Sequence, residues 1–314
     1  MTARKIIIDT DPGIDDSIAI LLALASPELE VVGLTVEAGN VGLPQTVRNT
    51  LQICALAGRD DLPVVAGCDR PLLRPRETAE RVHGASGIGG VDLPLPARAA
   101  TPGHAVDFLV DTVMGAADGE ITLCTLGPLT NVAVALAKEP RLASRLREIV
   151  TMGGGFFRGG NSTPVAEFNI LCDPHAAEMV FRTETPKVLM PLDLTHQVLS
   201  TPSRIAKFRA VDTPVMQAAA QWLEFYNRHD VERYGEEGGP LHDPTVIGYL
   251  LKPTLFAGKT VPVTVEHGSP LTEGMTVFDW WSMTGKPATT TVMQRADVDG
   301  FYELLLERLS RYPL

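Results

Sequence analysis

Short β-branched runs alternate with longer segments of helical period along most of the chain, and this alternation restricts the fold more than any other feature of the sequence. The runs at 5–9, 31–37, 63–66, 121–126, 148–152 and 187–191 have the length and composition of strands. Between and after them, 17–25, 43–57, 103–116, 129–136, 174–181, 202–207 and 246–251 carry apolar residues at helical spacing. Strand followed by helix, repeated, builds a mostly parallel sheet covered on both faces. The expectation is an α/β fold: a single open, mostly parallel, Rossmann-like sheet with helices on both faces and elaborated loops. At roughly 150 residues per domain, length alone suggests about two domains. No Ser/Gly-rich linker or composition shift divides the 314 residues, however, so 1–314 read as one domain, with the Pro-, Arg- and Gly-rich stretch 68–102 as a long excursion. In such sheets ligands bind beyond the carboxyl ends of the strands, so the residues just after each strand are inspected first.

Composition removes several classes of function. The chain has 27 basic and 38 acidic residues, a formal charge of −11, and no stripe of Lys or Arg. A grip on a nucleic-acid polymer is therefore not expected. The N-terminus passes from two basic residues into a strand and then into acids, without the apolar stretch of a signal peptide. The longest uncharged stretch, 121–137, is interrupted by Gly127-Pro128 and Asn131, so it is no membrane span. Cys54, Cys68, Cys124 and Cys172 form no CxxC pair and lie in apolar contexts, as reduced cysteines of a cytoplasmic protein do.

The chemistry gathers after the strands. After the first comes Asp9-Thr10-Asp11-Pro12-Gly13-Ile14-Asp15-Asp16, four carboxylates within eight residues. Like charges this close raise one another's pKa and require a cation or a positive helix end to compensate them. Helix capping accounts for one such acid, not four. Oxygen ligands with no Cys or His nearby point to a hard cation, Ca²⁺ or Mg²⁺. Two other readings stay open: an acidic cap on an Asp-Pro-Gly turn, and an Asp9/Asp11 nucleophile and acid pair like that of haloacid-dehalogenase-type phosphatases. After the second strand, Glu37-Ala38-Gly39-Asn40 is a turn in which Asn40 can also meet a polyol. After the fourth comes Leu126-Gly127-Pro128-Leu129-Thr130-Asn131. Gly153-Gly154-Gly155 and Gly159-Gly160-Asn161 lack the endings of phosphate and dinucleotide loops, so they suit close backbone approach to an unphosphorylated ligand. Glu167 and Asn169, two apart, share a side if the segment is extended, with Phe168 opposite. Asp173 before Pro174 and Asp243 before Pro244 both stand at N-cap positions. His242 is a candidate acid or base, and His83 in the long excursion is a candidate cover for a pocket. His104, His175, His196, His229 and His267 are read as surface or internally satisfied.

Together these segments resemble the nucleoside hydrolases of the inosine–uridine-preferring type, from residue 5 to about 300 and in that family's order. Residues 9–16 are similar to its N-terminal acidic signature. Six later segments follow: 38–40, 83–84, 127–131, 152–154, 167–169 and 242–244. The resemblance implies hydrolysis of the N-glycosidic bond of ribonucleosides to free base and ribose. It implies one Ca²⁺ held by Asp11, Asp16, the carbonyl of Leu126, and Asp243. Ribose hydroxyls would be held by Asp15, Asn40, Asn161, Glu167 and Asn169, with Met152 nearby, and His83, Phe168 and His242 would line the base end. A water poised by the cation and deprotonated by Asp11 would attack the anomeric carbon directly, with His242 as acid for the departing base. His242 marks the histidine-bearing subgroup. The run 273–279, with Phe225-Tyr226 upstream, resembles pyrimidine-preferring members, although Tyr226, His229 and Tyr234 are expected in a mobile loop within 223–240. A homodimer or homotetramer is implied too. Besides the phosphatase, a nucleoside- or sugar-binding protein without turnover remains an alternative.

Overall fold

The computed structural model describes residues 3–313, and the side chains of all of these except His229, Asp230, Arg233 and Tyr234. The chain opens with β1 (Arg4–Thr10), α1 (Ile14–Leu24), β2 (Leu29–Val36), α2 (Leu43–Leu56) and β3 (Val64–Ala66). A short α3 (Glu80–His83) lies within the long excursion. Then come α4 (Ala105–Gly115), β4 (Ile121–Thr125), α5 (Thr130–Lys138), α6 (Leu142–Arg145) and β5 (Glu148–Met152). They are followed by α7 (Phe168–Cys172), α8 (Pro174–Phe181), β6 (Lys187–Met190), α9 (Leu192–Thr195), β7 (Leu199–Ser200), α10 (Pro202–Arg209) and α11 (Pro214–Tyr234). The last part holds β8 (Gly239–Pro240), α12 (Pro244–Leu251), β9 (Phe256–Val261), β10 (Val263–Val265), β11 (Thr276–Phe278), β12 (Thr290–Ala296) and α13 (Val298–Leu309).

Eight strands form one sheet in the order β3-β2-β1-β4-β5-β6-β12-β9, parallel throughout except for β9, which runs antiparallel to β12 at the edge. This is the α/β architecture expected, with all six anticipated strands in place. Ile6, Ile7 and Ile8 show why β1 is central: all three are fully buried, as a strand covered on both faces requires. Ile6 and Ile8 enter the core made with α1, α11, α12 and α13, whereas Ile7 enters the core made with α4, α5 and α8. Successive strands are added outward from β1 through β2 to β3, and then from β4 through β5 to β6 on the other side. The direction of winding reverses between β1 and β4, and at such a reversal the strand ends part to leave a crevice.

One expectation is corrected here. Tyr226 lies in no loop: 214–234 is a continuous helix, α11, closed by Gly235 in the left-handed conformation (φ 65°). His229 and Tyr234 belong to its backbone, while their side chains lie outside those described. Packing, more than sequence period, holds α11 in place. Trp222 is fully buried and its Nε1–H donates to the carbonyl of Ile88 at 3.1 Å. Phe225 packs over Gly84 and Gly89, where a β-carbon would stand 3.3 and 3.0 Å from its ring. The 68–102 excursion is thereby fastened to α11, and its His83 is brought beside Tyr226, ring centroids 5.5 Å apart.

Candidate active site

The acidic signature crosses from β1 into α1 at the crevice between β1 and β4. Asp16, at the third position of α1, accepts from the N–H of Gly13 at 2.9 Å and from the Thr10 hydroxyl at 2.6 Å, so one acid does complete the helix end. The others are used differently. Asp11 is fully buried; its Oδ2 accepts from the N–H of Asn40 at 2.7 Å, while its Oδ1 has no hydrogen-bond partner. Asn40 also donates through Nδ2 to the carbonyl of Asp11 at 3.2 Å and to Asp16 Oδ2 at 3.3 Å. From the far end of the chain Asp243 arrives at the start of α12, where its carboxylate forms no cap hydrogen bond. Instead, oxygens of Asp15, Asp16 and Asp243 lie within 4.8 Å of one another, all buried. Asp243 thus holds the N-cap position of α12, as expected, but its side chain does not cap the helix.

Such a cluster is electrostatically costly as it stands. Burial, and then repulsion from Asp16, pushes the Asp11 carboxyl well above the usual carboxylate range. Burial and the charges of Asp15 and Asp16 do the same to Asp243, and burial raises Asp16. No lysine or arginine among the described residues forms an ion pair with Asp11, Asp16 or Asp243. Three buried carboxylates clustered in this way, Asp15, Asp16 and Asp243, with a partnerless Asp11 oxygen in the same signature, have the chemistry that suits a hard divalent cation. The carbonyl of Leu126, just after β4, accepts from Asn169 Nδ2 at 2.8 Å and keeps a second lone pair for such an ion.

A cleft opens above these acids and is lined by Asp15, Asn40, His83, Leu126, Met152, Asn161, Glu167, Phe168, Asn169, Tyr226, His242 and Asp243. One end carries Asn161, Glu167 and Asn169, donors and acceptors for hydroxyl groups. Burial raises Glu167 to about 7, against the N–H groups of Asn169, Gly154 and Ile170 that lower it. The other end is aromatic and imidazole. His83 accepts through Nδ1 from the N–H of Ile14 at 3.1 Å, which leaves its proton on Nε2. Tyr226 stands 6.3 Å from His242, ring to ring. Burial, with His196 and His83 nearby, pushes His242 well below the usual histidine range and keeps it neutral at pH 7.

Compared with known proteins, the chain matches the profile of inosine-uridine preferring nucleoside hydrolases over residues 6–303. The chain belongs to this nucleoside hydrolase family. It is 44% identical to the pyrimidine-specific ribonucleoside hydrolase RihA of Salmonella gallinarum, across 99% of both chains. It is 51% identical to an uncharacterized protein of Schizosaccharomyces pombe, across 98% of this chain and all of that one. The structure of a purine-preferring ribonucleoside hydrolase from Gardnerella vaginalis superposes with a TM-score of 0.92 at 34% identity, covering 98% of each chain. The chain is a ribonucleoside hydrolase, a hydrolase of the glycosidase type.

In this nucleoside hydrolase the structure gathers the anticipated residues at one sheet edge: Asp15, Asn40, His83, Leu126, Met152, Asn161, Glu167, Phe168, Asn169, His242 and Asp243 line the cleft, with Asp11 and Asp16 buried against it. Three local expectations change. Glu167 and Asn169 are not on one extended segment: Glu167 caps α7, accepting from Asn169 N–H at 3.0 Å and Ile170 N–H at 3.3 Å, and Asn169 lies within the helix. The glycines 153–155 serve the protein itself, since Gly154 N–H donates to Glu167 and Gly155 N–H to Thr276, each at 2.9 Å. Asp9 does not line the cleft; it lies beneath it, held by Thr35, Asn131 and Glu37, which disfavours a nucleophilic role. Asp173, by contrast, does cap α8 through Ala176 N–H at 3.0 Å. Sequence reading missed Thr78, Ala79, Arg81, Val82 and Ser162, which line the mouth and carry no chemical signature. The cysteines are free, and burial pushes Cys54, Cys68 and Cys124 up to about 12, so they are unreactive as read.

Two glycines mould the Asp11 carboxylate. A β-carbon on Gly39 would overlap Asp11 Oδ2, and one on Gly127 would overlap Oδ1. Gly39→Ala or Gly127→Ala is expected to lower kcat/KM by about 10²-fold, the usual cost of displacing a reacting group by about 1 Å. Gly115→Ala, where nothing lies within 4 Å, is the control. Steady-state kinetics on all three variants check this, and equal activities would contradict it.

Proposed function

We propose that this ribonucleoside hydrolase cleaves uridine and cytidine, with inosine as a slower substrate, to free base and ribose, using one Ca²⁺. The observation that carries the reading is the cluster of buried oxygens from Asp15, Asp16 and Asp243, with the partnerless, buried Oδ1 of Asp11 in the same signature, at a cleft that also carries imidazole and aromatic side chains. Asp11, Asp16, Asp243 and the carbonyl of Leu126 would hold the ion; Asp15 reaches the same oxygen cluster and can turn to the ribose. When bound, Ca²⁺ supplies a fixed positive charge that neutralises the cluster and acidifies water.

The side chains do the rest. Asp11, raised in pKa and fixed by Asn40, accepts the proton of the attacking water. Asp15 and Glu167 place negative charge against the oxocarbenium-like sugar, where it is worth most in a dry cleft. Asn40, Asn161 and Asn169 orient the hydroxyls. His83, with its proton on Nε2, and His242 face the base and stabilise its departure. Water displaces the base directly, with no covalent intermediate. Pyrimidine preference is supported by the 44% identity to a relative named pyrimidine-specific. No described helix is long and apolar enough to cross a membrane. We read residues 1–314 as one catalytic domain acting in the cytoplasm as a dimer or tetramer, in pyrimidine salvage.

The test is a phosphate-free assay of ribose release from uridine, cytidine, inosine, adenosine and guanosine. Uridine and cytidine are expected to react fastest, without any requirement for phosphate. Ribose 1-phosphate as product would overturn the hydrolytic reading, and faster purine cleavage would overturn the base preference alone.

A further inference from the structure

His242 is fixed at two levels, main chain and ring. Its main chain is secured locally: Leu241 N–H donates to the carbonyl of Val198 at 2.9 Å, the Thr245 hydroxyl and N–H donate to the His242 carbonyl at 2.6 and 3.1 Å, and β8 pairs with β7 just upstream. Independently, the ring Nδ1 lies 2.7 Å from the hydroxyl of Thr195, which is fully buried at the end of α9. With Nδ1 engaged, Nε2 is the ring nitrogen left to meet a ligand in the cleft.

We propose that Thr195 is a positioning residue for base departure: its hydroxyl donates to Nδ1 of the neutral ring and so fixes the Nε2–H tautomer of His242 toward the nucleobase. The proposal rests on the reading of His242 as facing the leaving base. In this arrangement Nε2–H donates a hydrogen bond to a ring or carbonyl acceptor of the base as negative charge collects there. The proton stays on Nε2, so the ring need not be charged. Without the hydroxyl, the ring is free to take the Nδ1–H tautomer, which presents a lone pair to the departing base and repels it. A residue of this kind, one bond removed from the group that touches substrate, typically contributes about 10–100-fold.

Thr195→Val keeps the volume and removes the hydroxyl, while Thr195→Ser keeps the hydroxyl. Both are assayed on the nucleoside that the wild type hydrolyses fastest and on p-nitrophenyl β-D-ribofuranoside, whose phenolate leaves unaided. We expect Thr195→Val to lose about 10–100-fold in kcat on the nucleoside, to match wild type on the aryl riboside, and Thr195→Ser to recover most of the loss. In histidine-labelled protein, ¹⁵N shifts should assign a protonated Nε2 to His242 in the wild type. This measurement stands even if the valine variant folds poorly. Equal losses on both substrates, unchanged nucleoside activity in Thr195→Val, or a protonated Nδ1 in the wild type each overturn the proposal. His242→Phe identifies which reading has failed: full nucleoside activity in that variant removes the role of His242 itself, and with it Thr195, whereas an impaired His242→Phe beside an intact Thr195→Val removes Thr195 alone.

Discussion

Asp11→Asn is expected to lower kcat for nucleoside hydrolysis by at least about 10³-fold, yet to raise the melting temperature of the metal-free protein. The loss has two sources. The asparagine cannot accept a proton from water, a contribution of about 10²–10⁴-fold for a positioned base, and it offers a cation a neutral ligand in place of a charged one. The gain in stability comes from the same carboxylate. Asp11 is fully buried and Asp16 repels it; a neutral amide of the same shape removes both the buried charge and the repulsion. Asp9→Asn is the comparison. Asp9 lies one layer lower, bonded to Thr35 and to Asn131 Nδ2 at 3.0 Å, so its replacement is expected to cost only about 10–100-fold, as supporting residues do. Ribose release and thermal melts on both variants decide the matter. An Asp9→Asn loss as large as that of Asp11→Asn would contradict the assignment of the proton-accepting role to Asp11.

Chelation of divalent cations is expected to abolish ribose release and to change how stability depends on pH. In the metal-free protein the site carboxyls have pKa values raised by burial, reaching about 6 for Asp9 and about 7 for Glu167, with Asp11 and Asp243 well above their ordinary range. The folded state therefore holds protons more tightly than the unfolded chain. The stability these groups contribute is fully present below the unfolded carboxyl pKa of about 4 and is lost as pH rises through the folded values. Ca²⁺ acts in the opposite sense, because its ligands must be deprotonated, and it stabilises by about 2.7 kcal/mol at a hundred times its dissociation constant. The difference in melting temperature between excess Ca²⁺ and chelator is thus expected to be larger at pH 8 than at pH 5. Calorimetry at the two pH values measures it, and a larger difference at pH 5, or none at either, would remove the cation from the acidic cluster.

What was legible in the sequence followed from strong local patterns. Ile6, Ile7 and Ile8 read as a strand covered on both faces, and the acids after it read as a site because nothing local neutralises them. The edge strand β9 escaped notice: Ala257, Gly258, Lys259 and Thr260 are exposed, so 256–261 has no apolar run to mark it. In α11 the C-terminal half is polar, and its position follows from Trp222 and Phe225 meeting the 68–102 excursion, contacts over more than a hundred residues that no window of sequence contains. Glu167 and Asn169 line the cleft but on a local structure other than the extended one expected, since α7 has only five residues and no period to read. Thr195 had no motif at all; only the fold brings it to His242.

The glycine mould around Asp11 divides the cleft into two ends of unlike stiffness. At the acidic end, main chain presses on the carboxylate at Gly39 and Gly127, so its position is set by backbone path and few neighbouring side chains can shift it. At the imidazole end the walls are side chains borne on α3, α11 and the segment before α12, each replaceable without moving the sheet. On the proposed reading, the sugar would meet the stiff end of this scaffold and the base the end that side chains alone define. That relatives named for pyrimidine specificity and for purine preference match nearly the whole chain agrees with such a division.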